Sequence, residues 1–233
     1  MKYTRLVITK IILVSFALIG VIVAQTPDQT KPTASPSAQS AAANEPKPSP
    51  SEISTVTGYC KELAGYSKRN PKQARFFGDV SAYDQSGVTL TKPTEKWREF
   101  KTQKARETAT TQDTLYNTAN VWLRDGNIVF ANFQYGSPSG DWAQFVSYCF
   151  RQDGSLAELD NSFRTFNGSV RVEKQIVYNA NGKRLRVTTR CFDLQSGRKK
   201  RCDGNYAQYD AEVFRKVQQL PFYHSTKSGV TQK

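Results

Sequence analysis

Most of the second half of the chain consists of short runs of alternating aromatic and β-branched residues, each ended by a turn that contains glycine. Asp-Gly or Asn-Gly pairs separate the runs at Gly126, Gly154 and Gly182, and a further turn follows at Gly197. Glycine at these places supplies the positive φ that tight turns need. Because consecutive hairpins make consecutive strands neighbours, the pattern predicts an antiparallel β-meander of about six or more strands over residues 118–202.

Alternation along these runs predicts one buried and one wet face for the sheet. In the third hairpin Val170, Val172 and Ile176 fall on one side of the pleat, whereas Arg171 and Glu173 fall on the other. A sheet this rich in aromatic residues needs other elements to bury its apolar face. We predict that helices over 52–68, 95–108 and 210–220 and a short hairpin between residues 76 and 91 pack on it. The fold class is therefore α+β, with a few helices packed on the antiparallel sheet and disulfides to stabilise it.

The N-terminus has the pattern of an export signal. Three basic residues, Lys2, Arg5 and Lys10, precede an unbroken apolar run over residues 11–24. That run would reach only ~21 Å as a helix, less than the ~30 Å hydrocarbon core of a bilayer. We therefore expect residues 1–24 to be a cleaved signal peptide and the protein to be exported, either to a periplasm or as a secreted protein. An uncleaved membrane anchor over residues 6–24 is the alternative.

Residues 25–52 are rich in Pro, Ala and Ser and contain almost nothing that could form a core. Such a segment does not recover the entropy that it would lose on ordering, so we expect a disordered linker. The remaining residues 53–233 suffice for one α+β domain with its own hydrophobic core. The predicted organisation is thus a leader, a linker and a single domain.

Four cysteines form an even set, which favours disulfides in an exported chain. The segment between Cys191 and Cys202 is symmetric about a Ser-Gly pair, so a hairpin that turns there would place the two cysteines opposite each other. This predicts a bridge from Cys191 to Cys202 and leaves Cys60 to pair with Cys149. Metal binding by the four thiols is the weaker interpretation, since no Cys-x-x-Cys pair occurs and His224 is the single histidine. We expect no metal and no cofactor.

The chain carries a net charge of +13, and its densest basic segment lies at residues 183–202. The pleat predicts that Arg184, Arg186 and Arg190 share a sheet face with Arg171, because successive side chains alternate between faces. Forked guanidinium groups on one face are suited to phosphate or carboxylate recognition. The candidate ligand-binding residues are Arg171, Arg184, Arg186, Arg190, Lys199 and Lys200. A solvated charged face that discourages strand pairing is the alternative.

Acidic residues beside aromatic ones suggest a second candidate activity, the hydrolysis of glycans. Glu158 and Asp160 share one face of a predicted strand, and Asp141 directly precedes Trp142. A glycan hydrolase needs a pair of carboxylates that flank the scissile bond. No Gly-x-Ser-x-Gly elbow, phosphate-binding glycine loop or dinucleotide motif accompanies these residues.

These patterns favour an exported or envelope-facing domain that acts by binding and not by catalysis. The expected partner is an anionic polymer, a lipid head group or an envelope protein, reached through the basic sheet face. Export excludes cytoplasmic nucleic acid, and membrane contact is expected only if the leader remains attached. Two alternatives stay open: a weak hydrolase of envelope glycans that uses Asp141, Glu158 or Asp160, and a structural domain whose apolar face a partner protein completes.

Overall fold

The computed structural model describes residues 49–81, 96–113, 115–202 and 210–227. The predicted leader and almost all of the predicted linker lie outside these ranges. The helices are α1 (Pro50–Arg69), α2 (Gln103–Asp113) and α3 (Tyr223–Lys227), with 3-10 turns at Pro71–Gln73 and Val217–Gln219. The strands are β1 (Arg75–Asp79), β2 (Trp97–Phe100), β3 (Thr118–Arg124), β4 (Asn127–Gly136), β5 (Trp142–Phe150), β6 (Leu156–Thr165), β7 (Val170–Tyr178), β8 (Arg184–Asp193) and β9 (Lys199–Lys200).

The strands form one antiparallel sheet of nine, in the order β2-β1-β3-β4-β5-β6-β7-β8-β9. From β3 onward each strand pairs with the next along the chain, so the predicted α+β meander is confirmed. The β3–β4 turn shows why the glycine pattern predicts it. Asp125 and Gly126 have φ values of 52° and 77°, which is the left-handed geometry of a two-residue hairpin loop.

Residues 210–227 cover one face of the sheet, which we call the C-terminal face. Phe133 lies at the centre of its core, with ring centroids 5.4 Å from both Tyr148 and Phe222 and 5.9 Å from Phe214. Trp97 of β2 closes the cluster, at 5.6 Å from Phe133. The aromatic runs of the sequence thus contribute mainly to this core, because large rings bury much apolar area.

Helix α1 covers part of the opposite face, which we call the α1 face. Ser49 begins the helix by accepting a hydrogen bond from the Ser51 N–H, and Pro50 occupies the first turn. Leu63 of α1 is fully buried against the sheet, and the Tyr59 hydroxyl donates to the Phe150 carbonyl at 2.9 Å. The helix spans the whole of the predicted segment 52–68.

The second and third predicted helices are largely wrong. Within 95–108, residues Trp97–Phe100 form strand β2 and the helix begins only at Gln103, because Trp97 and Phe100 pack on opposite faces of the sheet edge. The predicted partner strand at residues 88–91 lies outside the described residues, and β1 pairs with β2 and β3.

The segment 210–220 is extended, with a single 3-10 turn at Val217–Gln219, and not helical. Its backbone bonds to the β5–β6 turn: the Leu156 N–H donates to the Arg215 carbonyl, and the Val217 N–H donates to the Gly154 carbonyl, both at 2.9 Å. These bonds replace helical ones while Phe214 and Val217 still reach the core.

Both predicted disulfides are present, with Cα–Cα distances of 5.6 Å for Cys60–Cys149 and 5.3 Å for Cys191–Cys202. The register expected for the second bridge is wrong by two residues, because Cys191 pairs with Lys200 and the bridge reaches past the end of β9. Two disulfides fit a compartment outside the reducing cytoplasm. Within the described ranges, no helix has the length and hydropathy to cross a membrane.

Candidate functional site

Beyond the edge of α1 the α1 face becomes polar. Cross-strand pairing places the side chains of β6, β7 and β8 on this face in three parallel rows. We call this surface the polar platform. Its members are Asp160, Ser162 and Arg164 of β6, Arg171, Glu173 and Gln175 of β7, and Arg186, Thr188, Arg190 and Phe192 of β8. The alternation of the pleat thus collects four of the chain's arginines on one side.

Three of these arginines are exposed, and two of the three, Arg186 and Arg190, lie on the outer row. Arg186 donates to the Gln175 side-chain oxygen at 2.9 Å, and the Arg190 guanidinium lies 3.7 Å from a Glu173 carboxylate oxygen. Both contacts are weak, because Gln175 is neutral and the Arg190–Glu173 pair is exposed to solvent. Their remaining N–H groups point to a surface that a ligand can reach.

The other two platform arginines rest on aromatic rings. Arg171 lies 4.5 Å from the Phe192 ring centroid, and Arg164 lies 4.9 Å from that of Phe145. Arg171 also approaches Glu173 at 3.2 Å. Stacking fixes the plane of a guanidinium, so these two groups hold a defined orientation on the sheet.

Arg184 does not belong to this group, contrary to the prediction from the pleat. The β7–β8 register shifts between Val177 and Tyr178, so Arg186 pairs with Val177 and Arg184 pairs with Tyr178. Tyr178 belongs to the core of the C-terminal face. The extra residue, Leu185, forms a bulge that turns Arg184 to that side.

The two lysines of β9 also separate. Lys199 is exposed and pairs with Phe192, which places it beside the polar platform. Lys200 pairs with Cys191, and its ammonium group lies 3.4 Å from the Gly168 carbonyl. Of the six predicted binding residues, Arg171, Arg186, Arg190 and Lys199 therefore share one side of the sheet.

The predicted carboxylates Glu158 and Asp160 line a single cavity of about 460 Å³ between α1 and the sheet. Cys149, which bridges to Cys60 of α1, pairs with Glu158 across the strands, and this brings Glu158 beneath the helix. The Glu158 side chain is only 6% exposed, and its Oε2 atom has no hydrogen-bond partner. Asp160 is exposed at the mouth of the cavity.

Burial raises the pKa of Glu158 to about 8, and the neighbouring Asp160 carboxylate adds to the effect while Arg186 opposes it. Partial burial of its carboxyl group also raises the pKa of Asp160, and hydrogen bonds from Glu158 and Gln175 oppose this rise. Asp160 keeps its contact with water, so its charge is the less penalised of the two. Glu158 therefore holds a proton at neutral pH, and the pair carries about one negative charge.

A second hollow of about 210 Å³ adjoins the first. The two share Ser147, Asp160 and Gln175, and the second extends outward to Glu173 and Arg190. The cavity beneath α1 and the arginines of the polar platform are thus connected by one groove. Its chemistry changes along its length from protonated carboxyl and hydroxyl groups to guanidinium groups.

Asp141, the third predicted carboxylate, lies elsewhere. It accepts hydrogen bonds from the side chains of Ser137 and Ser139 in the β4–β5 turn, and the bond from Ser137 does most to lower its pKa. An aspartate that accepts bonds from nearby residues in this way stabilises a turn. It lines neither of the two hollows.

Sequence reasoning did not identify Lys61, Ser147 or Gln175, which line the cavity. The sequence did contain a signal for this cavity, the predicted Cys60–Cys149 bridge. With the predicted β5–β6 turn, that bridge places Glu158 opposite Cys149 and therefore under α1. Within the described ranges, no group of three or more His, Cys, Asp or Glu residues is arranged to hold a metal ion. Comparison with protein-family models, with curated proteins and with solved structures gives no match for this chain.

Proposed function

We propose that this chain is an exported binding domain and that its polar platform recognises carboxylate or phosphate groups of an anionic envelope ligand. The observation that carries the proposal is the placement of Arg171, Arg186 and Arg190 on one side of the sheet, with Arg186 and Arg190 exposed. Guanidinium groups bind planar oxyanions through two parallel hydrogen bonds. The leader pattern and the two disulfides support a site of action outside the cytoplasm.

The platform keeps a net positive charge although two carboxylates lie within it. Glu173 lies between Arg171 and Arg190 and partly neutralises both. With Glu158 protonated, the negative charges on this surface are those of Asp160 and Glu173, so a positive excess remains. An exposed positive excess of this kind attracts anions over about a Debye length, ~8 Å at physiological salt.

The hydrolase alternative has little geometric support. Glu158 and Asp160 do line one cavity, but they lie within hydrogen-bonding distance of each other. Glycoside hydrolases hold their two carboxyl groups at least about 5 Å apart so that the scissile bond fits between them. The pair suits the sharing of a proton and the binding of donors better than it suits cleavage of a glycosidic bond.

The partner-protein alternative predicts a contiguous apolar patch. Over the described part of the chain, only Phe166 and Val187 are large hydrophobic side chains with substantial exposure. They lie on different strands or turns and do not form such a patch. Neither observation favours this alternative over the anion-binding surface.

The test compares two variants that lose the same charge from the same segment. Arg186→Gln/Arg190→Gln removes the outer row of the platform, and Arg184→Gln/Arg198→Gln removes two exposed arginines outside it. Binding to polygalacturonate and to anionic phospholipid vesicles is measured at low and physiological salt. We expect the platform variant to lose about tenfold or more in affinity for the ligand that binds, since a charged hydrogen bond contributes about 1.5–3 kcal/mol.

The control variant should lose no more than about twofold. Equal losses in both variants would show that net charge alone governs binding, and this would contradict the proposal. The two ligands separate a carboxylate polymer from a phospholipid head group. If wild-type protein generates new reducing ends in polygalacturonate and Glu158→Gln does not, the protein is a hydrolase and the binding proposal is wrong.

A further inference from the structure

We propose that the cavity beneath α1 is a saccharide subsite, in which Glu158 and Asp160 bind hydroxyl groups of an acidic sugar whose carboxylate is held by Arg186 and Arg190. This inference rests on the proposed function, and it names the ligand class as an acidic oligosaccharide. It goes beyond anion binding, because a polyanion without hydroxyl groups would use the arginines alone.

Glu158 carries an unpartnered oxygen atom beside the cavity. The side chain is 6% exposed and lines the cavity, yet its Oε2 atom is enclosed by protein and has no hydrogen-bond partner. Buried polar atoms in folded proteins almost always have a partner, because leaving one without a bond is unfavourable. A rotation of the carboxyl group toward the cavity would let a ligand hydroxyl supply the missing bond.

The walls of the cavity are lined with groups that both donate and accept hydrogen bonds. Ser147 and Gln175 line it from the sheet, and Ser54 and Thr57 line it from α1, where their hydroxyl groups donate to carbonyls of their own helix and can still accept a hydrogen bond. Sugar hydroxyls likewise act as donors and as acceptors. The match to a polyhydroxylated ligand is therefore better than the match to an apolar one.

The size and direction of the cavity suit an oligomer. A volume of about 460 Å³ lies within the range of about 300–1,000 Å³ found for small-molecule sites. The adjoining hollow continues past Glu173 to Arg190, so a chain of sugars can leave the cavity along the platform. The groove accepts a segment of a polymer and not only a single small molecule.

An acidic sugar can bind here even though two carboxyl groups line the cavity. The charged groups that act on Glu158 are Asp160 on β6 and Arg186 on β8. Lys61 on α1 lines the same cavity, while the lining residues of β5 and β7 are neutral. The protonated Glu158 donates its one proton to Asp160, adds no negative charge and keeps its other oxygen as an acceptor for a sugar hydroxyl. Lys61, Arg186 and Arg190 then balance the charge of the sugar acid and of Asp160.

Gly58 provides a test that leaves the fold intact. A Cβ atom added at Gly58, an exposed position in α1 that lines the cavity, would meet nothing within 4 Å, so Gly58→Leu has room for its Cβ and brings an apolar side chain to the cavity wall. Asp160→Ala removes an exposed ligand-binding group and is the second variant. Affinities are measured at pH 7 for tetragalacturonate and for the peptide tetraglutamate, a carboxylate chain without sugar hydroxyls.

We expect Gly58→Leu and Asp160→Ala to lower the affinity for tetragalacturonate about tenfold and to change that for tetraglutamate by less than about twofold. Arg186→Gln/Arg190→Gln should lower both. Unchanged sugar binding in Gly58→Leu and Asp160→Ala would overturn the subsite and leave the proposed function standing if the arginine variant still loses both ligands. Loss of neither ligand in the arginine variant would overturn the proposed function itself.

Raising the pH gives an independent readout. Wild-type affinity for tetragalacturonate should fall as the pH rises from 7 to 9, because Glu158 ionises with a pKa of about 8 and its negative charge repels the sugar acid. Glu158→Gln, which stays neutral and keeps donor groups, should show no such fall. Parallel pH profiles in the two proteins would contradict the role of Glu158.

Discussion

The α1 face of the sheet contains two regions that differ sharply. Under α1, Trp122, Phe130 and Cys149 form a dry core with Leu63. From the Asp160 end of β6 through β8 the same face is polar and charged, although strand pairing continues without a break. The difference shows that the covering helix, and not the sheet, decides which part of this face is core. Glu158 lies at the border, paired with Cys149 yet carrying a carboxyl group.

Truncation of a buried ring in the covered region should have the largest effect on the free energy of unfolding. Phe130→Ala removes a side chain that is 4% exposed in the covered region, and we expect it to lower the free energy of unfolding by about 3–5 kcal/mol. Thr188→Ala, a half-buried member of the polar platform on strand β8, should change it by less than about 1 kcal/mol. Urea denaturation of the two variants measures both effects. Similar losses would mean that the polar half is packed as tightly as the covered half.

The two disulfides also distinguish the two regions, because they enclose chain segments of very different length. Cys60–Cys149 spans 89 residues and fixes α1 on the sheet, whereas Cys191–Cys202 spans 11 residues at the polar end. Loss of the first bridge by double substitution to serine should cost about 4 kcal/mol, and loss of the second about 3 kcal/mol or less. Chemical denaturation under oxidising conditions gives both values. A larger loss from the shorter loop would contradict the assignment of α1 as the covering element.

Much of this organisation can be predicted from the sequence, and the exceptions have physical causes. Glycine turns and alternation predict the meander, and cysteine parity with export predicts both bridges. Alternation did not predict that Arg184 leaves the platform, because a single bulged residue, Leu185, moves Arg184 to the opposite side of the sheet and has no sequence signal of its own. The extended segment around Phe214 has helical apolar spacing, but its backbone finds partners in a distant turn.

The sequence predicts several residues of the candidate site but not how the fold brings them together. Glu158 and Asp160 are neighbours on one strand face, and alternation alone predicts that placement. The burial of Glu158 depends on where α1 lies, which is a tertiary property fixed by Cys149. The raised pKa of Glu158 is therefore a consequence of the fold and not of the local sequence.

The border position of Glu158 predicts an effect that depends on pH. The folded protein holds the Glu158 proton up to about pH 8, whereas the unfolded chain releases it near pH 4.5. Folding therefore takes up a proton between these values, and stability falls as the pH rises across this window, by at most about 1.4 kcal/mol per pH unit. Glu158→Gln should remove this fall.

We expect the gain in unfolding free energy of Glu158→Gln over wild type to grow from near zero at about pH 4.5 to several kcal/mol, at most about 5, at about pH 8. Thermal unfolding across this range checks the trend, with Asp141→Asn as a matched control. Asp141 has a lowered pKa in an open turn, so its substitution should not reproduce the trend. A gain that is constant with pH would show that Glu158 is not buried as a neutral acid.

The central claim is that the arginines of the polar platform, and not the basic segment as a whole, contact the ligand. The side-chain Nε–H signals of the arginines in a two-dimensional NMR spectrum test it directly, because each guanidinium reports its own environment. On titration with tetragalacturonate, the signals of Arg186 and Arg190 should shift while those of Arg184 and Arg198 stay in place. Equal shifts of all four, or shifts confined to Arg184 and Arg198, would contradict the account.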